Sequence, residues 1–408
     1  MFAQTLPAPN LVSPPAVEDA LADWTKDLQR SYLRQMIAVV SQPGVLSFAG
    51  GLPAPELFPR QEYAAALDQV LAEDPLALQY RPPFAPLKRH IVHIMARRGV
   101  ICEPEQIFIT TGAQQALSVL ARLFMNPGDE VILEENVYTG IQQAVAPYQP
   151  RILPVSTDLN TGMAVAEVAE YLAAGHRPGF IYVIPDAHNP LGVSLSAAKR
   201  EQLATLAATH GVPLVEDDPY GFLMVDADPL PPVRALNGEW VFYVGSFSKI
   251  IAPALRLGWM VVPERLVLKL TVIKEAGDLE SSALTQRAVA QMISNGDLWS
   301  HVARLRAAYR ERRAAMLTAL DAGFPAVARW TQPAGGMFVW VELPERIDTE
   351  ALLSVALEEE QIAFIPGRAF AVPGRRARHC LRLSFSNVTP ERITDGIHRL
   401  GRVVANFV

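Results

Sequence analysis

The sequence predicts an α/β fold: a large domain built on a mostly parallel sheet, followed by a smaller α+β domain. Three observations predict it. Between about residues 100 and 300, short apolar runs alternate with helical segments, the pattern of a parallel sheet covered on both faces. Beyond residue 300 the pattern changes to a long charged helix and then strand, helix, strand and helix. At 408 residues the chain is longer than one ordinary core, and with 50% hydrophobic and 19% charged residues it has the profile of a globular enzyme.

The elements follow in order. Residues 1–15, with prolines at 7, 9, 14 and 15, read as a loose arm, and 16–40 carry a helical pattern that ends before Gln42-Pro43-Gly44. The organisation expected is an N-terminal arm and helix packing with the small domain (1–45), a large ligand-binding domain (46–300) and a small C-terminal domain (301–408). A short strand at 45–49 breaks into a loop at Gly50-Gly51, where backbone can approach a ligand or simply turn tightly. Apolar runs at 107–110, 131–133, 180–184, 212–215, 241–245 and 257–262 predict strands; 113–125, 196–210 and 265–276 predict helices between them. A helix at 297–322, a strand at 335–341 and an apolar run around Arg382 belong to the second unit. Ligands of such sheets bind at loops beyond the strand ends.

Composition excludes several function classes. A net charge of −6 offers no basic field for nucleic acid. Every apolar run is cut by charge, Pro or Gly before it could span a membrane, and residues 1–15 lack a basic and apolar leader pattern. Cys102 and Cys380 are too few for a disulfide framework or a cysteine-rich zinc site, so no metal is expected and a reducing cytoplasm is the expected location.

The chemistry concentrates at predicted strand ends. Ser246-Phe247-Ser248-Lys249, with Arg256 seven residues beyond the lysine, closes the run at 241–245. Desolvation and a neighbouring cation lower a lysine's pKa, so that its neutral amine can condense with an aldehyde. Ser246, Ser248 and Arg256 suit a phosphate, and an aldehyde that carries a phosphate is pyridoxal 5'-phosphate (PLP). Taken alone, S-x-S-K describes a solvated lysine on a turn better than a reactive one, and the rest of the chain overturns that reading. Thr110-Thr111-Gly112-Ala113-Gln114-Gln115 follows a strand and opens a helix, whose free N–H groups suit a phosphate. Tyr138 after the next strand can lie against a planar ring or can be packing. Asn189, held extended before Pro190, can reach a phenolate oxygen or merely form a turn. Asp217 in Glu216-Asp217-Asp218 needs a partner at a buried strand end, which a pyridinium nitrogen would supply. Tyr220, three residues on, can reach the ring hydroxyl. Arg382 inside Leu381-Arg382-Leu383 suits bidentate capture of a substrate carboxylate or a structural ion pair.

In this order G-A-Q, Tyr, Asn-Pro-x-G, D-x-x-Y, S-x-S-K with its arginine, and L-R-L resemble class I/II aminotransferases over nearly the whole chain. FAGGLPAPELFP at 48–59, SFSK and GGMFVW resemble most the branch with 2-aminoadipate and kynurenine aminotransferases and the effector domains of MocR-type regulators. The resemblance implies fold type I of the PLP-dependent transferases, with a seven-stranded sheet. It implies that Lys249 forms an internal aldimine and acts as acid and base. Asp217 would pair with the ring nitrogen, Asn189 and Tyr220 with the ring oxygen, and Tyr138 would stack. Gly112, Ala113, Gln114, Ser246, Ser248 and Arg256 would bind phosphate. Arg382 would take the α-carboxylate, with Gly50, Gly51 and Asn189 around the substrate. Tyr80 matches a tyrosine that reaches the phosphate of a neighbouring subunit, implying a homodimer with shared sites. Arg34 matches an arginine for a distal carboxylate, for which Arg81 is a second candidate; Arg34 can equally make a surface salt bridge on an amphipathic helix. The implied reaction is ping-pong transfer of an α-amino group from an L-amino acid to a 2-oxo acid.

The chain departs from the family pattern at Ala113, often a serine, at His188, usually a glutamine, and at 80–87, which is short and lacks a glycine, with Phe84 near a tyrosine's place. Two other readings use the same residues. A PLP-dependent lyase, decarboxylase or oxidase differs in which substrate bond stands perpendicular to the ring. A PLP-binding regulatory module would need a DNA-binding domain ahead of Phe48, where the residues are few and not basic.

Overall fold

The computed structural model describes residues 17–26, 44–226 and 228–408. Arg34 and most of the expected N-terminal arm and helix lie outside them.

The central sheet has seven strands: β1 (Ile107–Thr110), β2 (Glu130–Glu134), β3 (Arg151–Val155), β4 (Ile181–Val183), β5 (Leu214–Asp217), β6 (Val241–Ser246) and β7 (Gly258–Val261). Their spatial order is β1-β7-β6-β5-β4-β2-β3. Pairing is parallel from β3 through β6, whereas β7 runs antiparallel to both β6 and β1. Six strands therefore point the same way, and their C-terminal ends share one edge of the sheet.

Burial on both faces explains why the strands read as continuous apolar runs. Within β2, Val131 and Leu133 enter the main core, while Ile132 faces a second core with Ile181, Val183 and Leu214. The period of two divides each strand between the cores. Helix Ala113–Phe124 buries Ala116, Leu117 and Leu120 in the first core, and helix Ala197–His210 buries Leu203 and Ala207 in the second. Strand β3 (RILPV) is the one no apolar run announced. It is an edge strand with alternating exposure, which tolerates Pro154 and exposes Arg151.

A second sheet has four antiparallel strands, β8 (Arg329–Trp330), β9 (Phe338–Glu342), β10 (Ile365–Pro366) and β11 (Cys380–Ser384), in the order β8-β9-β11-β10. Leu46–Ser47 pairs in parallel with Ile362–Ala363, so the chain ahead of the large sheet is stitched to this region. Helix Leu298–Gly323 buries Leu298, Val302, Leu305, Tyr309 and Met316 along one stripe. It packs on helix Pro390–Phe407, and at their crossing a Cβ on Gly401 would lie 2.1 Å from the Gly323 carbonyl oxygen.

That contact generates a stability prediction. Gly401→Ala forces the two helices apart and costs about 1–3 kcal/mol, read as a lower melting temperature. An unchanged melt contradicts this packing.

Candidate active site

The C-terminal edge of the large sheet gathers the predicted residues. Glu216, Asp217 and Asp218 end β5, and their different fates single out one of them. Glu216 accepts the backbone N–H groups of Val233 (2.6 Å) and Arg234 (2.8 Å). Asp218 accepts from Arg98 (2.9 Å), Tyr243 (3.0 Å) and the N–H of Gly221 (2.8 Å). Asp217, 2% exposed, accepts the hydroxyl of Tyr182 at 2.7 Å on Oδ2, while Oδ1 is buried without a hydrogen-bond partner. Burial pushes its pKa up to about 7; the Tyr182 bond opposes this and the charge of Asp218 adds to it.

Lys249 follows β6 by three residues, is partly exposed, and donates from Nζ to the Gly51 carbonyl at 2.8 Å. Burial first, then the positive charges of Arg382 and Arg256, lower its pKa to about 8. Arg382 on β11 is 2% exposed and donates to Asn189 Oδ1 (2.7 Å) and to the Ala49 carbonyl (2.6 Å). Its guanidinium lies 4.2 Å from the Phe338 ring centroid and 4.7 Å from that of Phe370. Among the described residues no carboxylate pairs with it, and Nε is buried without a hydrogen-bond partner. Burial lowers its pKa to about 10, against the opposing influence of Tyr220 and Tyr138. Tyr220 is buried, bonds to Asn189, and packs edge-on against Phe338 at 5.8 Å; burial raises its pKa.

The residues expected to bind phosphate form a second group. Gly112 (φ +87) caps helix Ala113–Phe124, and a Cβ there would meet Arg256 Nη2 at 2.7 Å, so glycine is required on both counts. Arg256, itself left-handed at φ 47, donates to the Thr111 carbonyl at 3.2 Å. Ser246 Oγ accepts the N–H of Ser248 at 3.1 Å, and Gly258 stands in register with both Ser246 and Thr110. The Tyr138 hydroxyl donates to Gln114 Oε1 at 3.2 Å, and the Gln114 amide donates to the Gly140 carbonyl at 2.8 Å.

Some expected residues stand elsewhere. Tyr80 is 78% exposed and joins none of these bonds. Arg81 lies 3.7 Å from Asp74. His188 is buried with Nε2 2.9 Å from Glu134 Oε2, beside Asn189. Sequence reasoning missed Tyr182, Phe338 and Phe370. A tyrosine inside a fully buried strand is a readable signal, because its hydroxyl needs a partner; nothing local marks the two phenylalanines.

The donor set fits a phosphorylated pyridine aldehyde. A buried carboxylate oxygen without a partner suits a ring N–H, an amine of lowered pKa stands at the neighbouring strand end, and a helix N-terminus with Arg256 suits an anion. Fold and site together define a PLP-dependent enzyme of fold type I. The chain belongs to the family of class I and II aminotransferases, whose sequence model matches residues 56–400. It is 38% identical to the 2-aminoadipate transaminase of Thermus thermophilus over 97% of this chain and 99% of that one. It is 35% identical to aromatic-amino-acid aminotransferase 1 of Thermococcus litoralis, over 92% of each. The solved α-aminoadipate aminotransferase of Thermus thermophilus, complexed with N-(5'-phosphopyridoxyl)-L-leucine, superposes with a TM-score of 0.89 at 36% identity. That match covers 96% of this chain and 99% of the other.

The raised pKa of Asp217 sets a stability slope. Its folded value of about 7 lies above an unfolded value of about 3.9, so the folded protein binds more protons between them and loses stability as pH rises through that window. Asp217→Asn is therefore expected to raise the stability of the cofactor-free protein at pH 8, on the order of 2–4 kcal/mol, with little change near pH 4. Equal effects at both pH values contradict this environment for Asp217.

Proposed function

We propose that this aminotransferase moves the α-amino group of an L-amino acid to a 2-oxo acid in ping-pong order, using PLP carried on Lys249. The observation that carries the reading is a lysine amine with its pKa lowered to about 8 beside a buried guanidinium that no carboxylate neutralises among the described residues. When bound, PLP supplies an aldehyde for amines and an electron-poor ring that stabilises negative charge on the adjoining carbon.

The residues divide the remaining work. Lys249 Nζ takes the α-proton of the amino acid, a general-base role that contributes about 10²–10⁴-fold, and returns a proton later. Asp217 Oδ1 would accept the ring N–H and keep that nitrogen protonated. Asn189 and Tyr220 would hold the ring oxygen, and Tyr138 would lie against the ring. The N–H groups of Gly112, Ala113 and Gln114, with Ser246, Ser248 and Arg256, would hold the phosphate. Arg382 receives the substrate α-carboxylate in a pocket bordered by Gly50 and Gly51. The carboxylate supplies the negative charge that the guanidinium lacks.

We also read the assembly as a homodimer with shared sites. The exposure of Leu76, Leu78, Tyr80 and Leu268 supports it, since a second copy would cover these side chains and bring Tyr80 to the partner's phosphate site. A cytoplasmic location is consistent with two buried free thiols, Cys102 and Cys380. Among the described residues no helix is long and apolar enough to cross a membrane.

Two experiments test the reading. Lys249→Ala is expected to lower turnover by at least about 100-fold and to abolish the absorbance of lysine-bound PLP; full turnover refutes it. The relatives that act on 2-aminoadipate and aromatic amino acids make both donor classes candidates, and we assign Arg34 to a distal carboxylate. Arg34→Ala then raises KM for acidic donors about tenfold or more and leaves leucine nearly unchanged. Equal effects on both donors return Arg34 to a structural role.

A further inference from the structure

Helix Glu264–Asp278 ends on an arrangement that local rules disfavour. An acid, Asp278, occupies its last turn, where the helix dipole favours a cation. Its partner Lys274 precedes it by four residues, the less favourable order for such a pair, and is buried with only 5% exposure. Breaches of local preference concentrate where function demands them. Here both oxygens of Asp278 are engaged. Lys274 Nζ donates to Oδ1 at 2.5 Å, while the Gln115 amide (2.6 Å) and the Thr111 hydroxyl (2.8 Å) donate to Oδ2. Burial pushes the Asp278 pKa up, but the bonds from Lys274, Gln115 and Thr111 outweigh that and hold it below the ordinary value.

Those contacts converge on one residue. Gln115 Oε1 accepts the Thr111 N–H at 2.8 Å, the Thr111 hydroxyl binds Asp278, and the Thr111 carbonyl accepts Arg256 Nη2 at 3.2 Å. Thr111, Gln114, Gln115, Arg256, Lys274 and Asp278 also border an open cleft of about 370 Å³. With open space on that side, hydrogen bonds rather than packing fix how Thr111 is set. From this geometry we infer that Asp278 is a positioning residue for the phosphate cradle: it fixes Thr111 through its hydroxyl and through Gln115, and Thr111 in turn aims Arg256 and the Gly112 turn at the phosphate. The inference rests on the PLP reading and adds to it a residue far along the chain that touches neither cofactor nor substrate.

A comparison of two vitamers tests it. Full-length protein freed of cofactor is titrated with PLP and, separately, with pyridoxal, which has the same aldehyde and ring but no phosphate; absorbance of the bound vitamer is the readout. Asp278→Asn and Thr111→Val are each expected to raise the Kd for PLP about tenfold while the Kd for pyridoxal stays within about twofold of the parent. The double variant is expected to lose less than the product of the two effects, because both act through one network. Unchanged PLP affinity in Thr111→Val, which keeps the Lys274–Asp278 pair, overturns the inference, as does equal weakening for both vitamers. A parent protein that binds neither vitamer overturns the cofactor reading itself.

Discussion

Taking a guanidinium out of water costs several kcal/mol unless charge and hydrogen bonds replace its hydration, and Arg382 is buried with no carboxylate beside it among the described residues. What replaces the water is partial. Asn189 Oδ1 and the Ala49 carbonyl accept two of its N–H groups, and two phenyl rings face its plane. Each of these groups is thereby placed: Asn189 beside Tyr220, the chain at Ala49 next to Gly51, and Phe338 against Tyr220. The same positive charge adds to burial in lowering the pKa of Lys249 to about 8. One cation without a carboxylate thus holds Asn189, the Ala49 carbonyl and two phenyl rings around it and lowers the pKa of Lys249.

Asp217 is the converse case. Its two neighbours in sequence are saturated, by backbone N–H groups and by Arg98 with Tyr243, and only Asp217 keeps an unpartnered oxygen. Behind it, Asp186 bridges the buried Arg98 and Arg200 at 2.6 Å each. Ion pairs thus back the strand ends, while among the described residues Asp217 Oδ1 has no hydrogen-bond partner and Arg382 has no carboxylate, deficits that a charged ring and a substrate carboxylate would fill. A site that binds ions tightly must be left incomplete without them.

Much of this was legible in the chain. Strand ends that carry Lys249, Asp217 and Asn189 could be found because buried parallel strands are continuous apolar runs and the residue where polarity returns marks the ligand edge. Strand β3 escaped because an edge strand alternates in exposure and carries a proline. Which of Glu216, Asp217 and Asp218 faces the site follows from pleat and register, which a one-residue shift would reverse. The Phe338–Arg382–Phe370 stack and the Asp278–Thr111 link join residues far apart in sequence, and spacing carries no signal for such pairs. The role assigned to Tyr80 rests on family resemblance alone, since it is 78% exposed in the single chain.

The most direct test of the central claim is chemical fixation of the cofactor. Protein loaded with PLP is reduced with borohydride, digested, and mapped by mass spectrometry. A phosphopyridoxyl group on Lys249, lost from the loaded Lys249→Ala protein, is the result this account predicts. A label on another lysine, or none on a protein that retains its PLP absorbance, would contradict it.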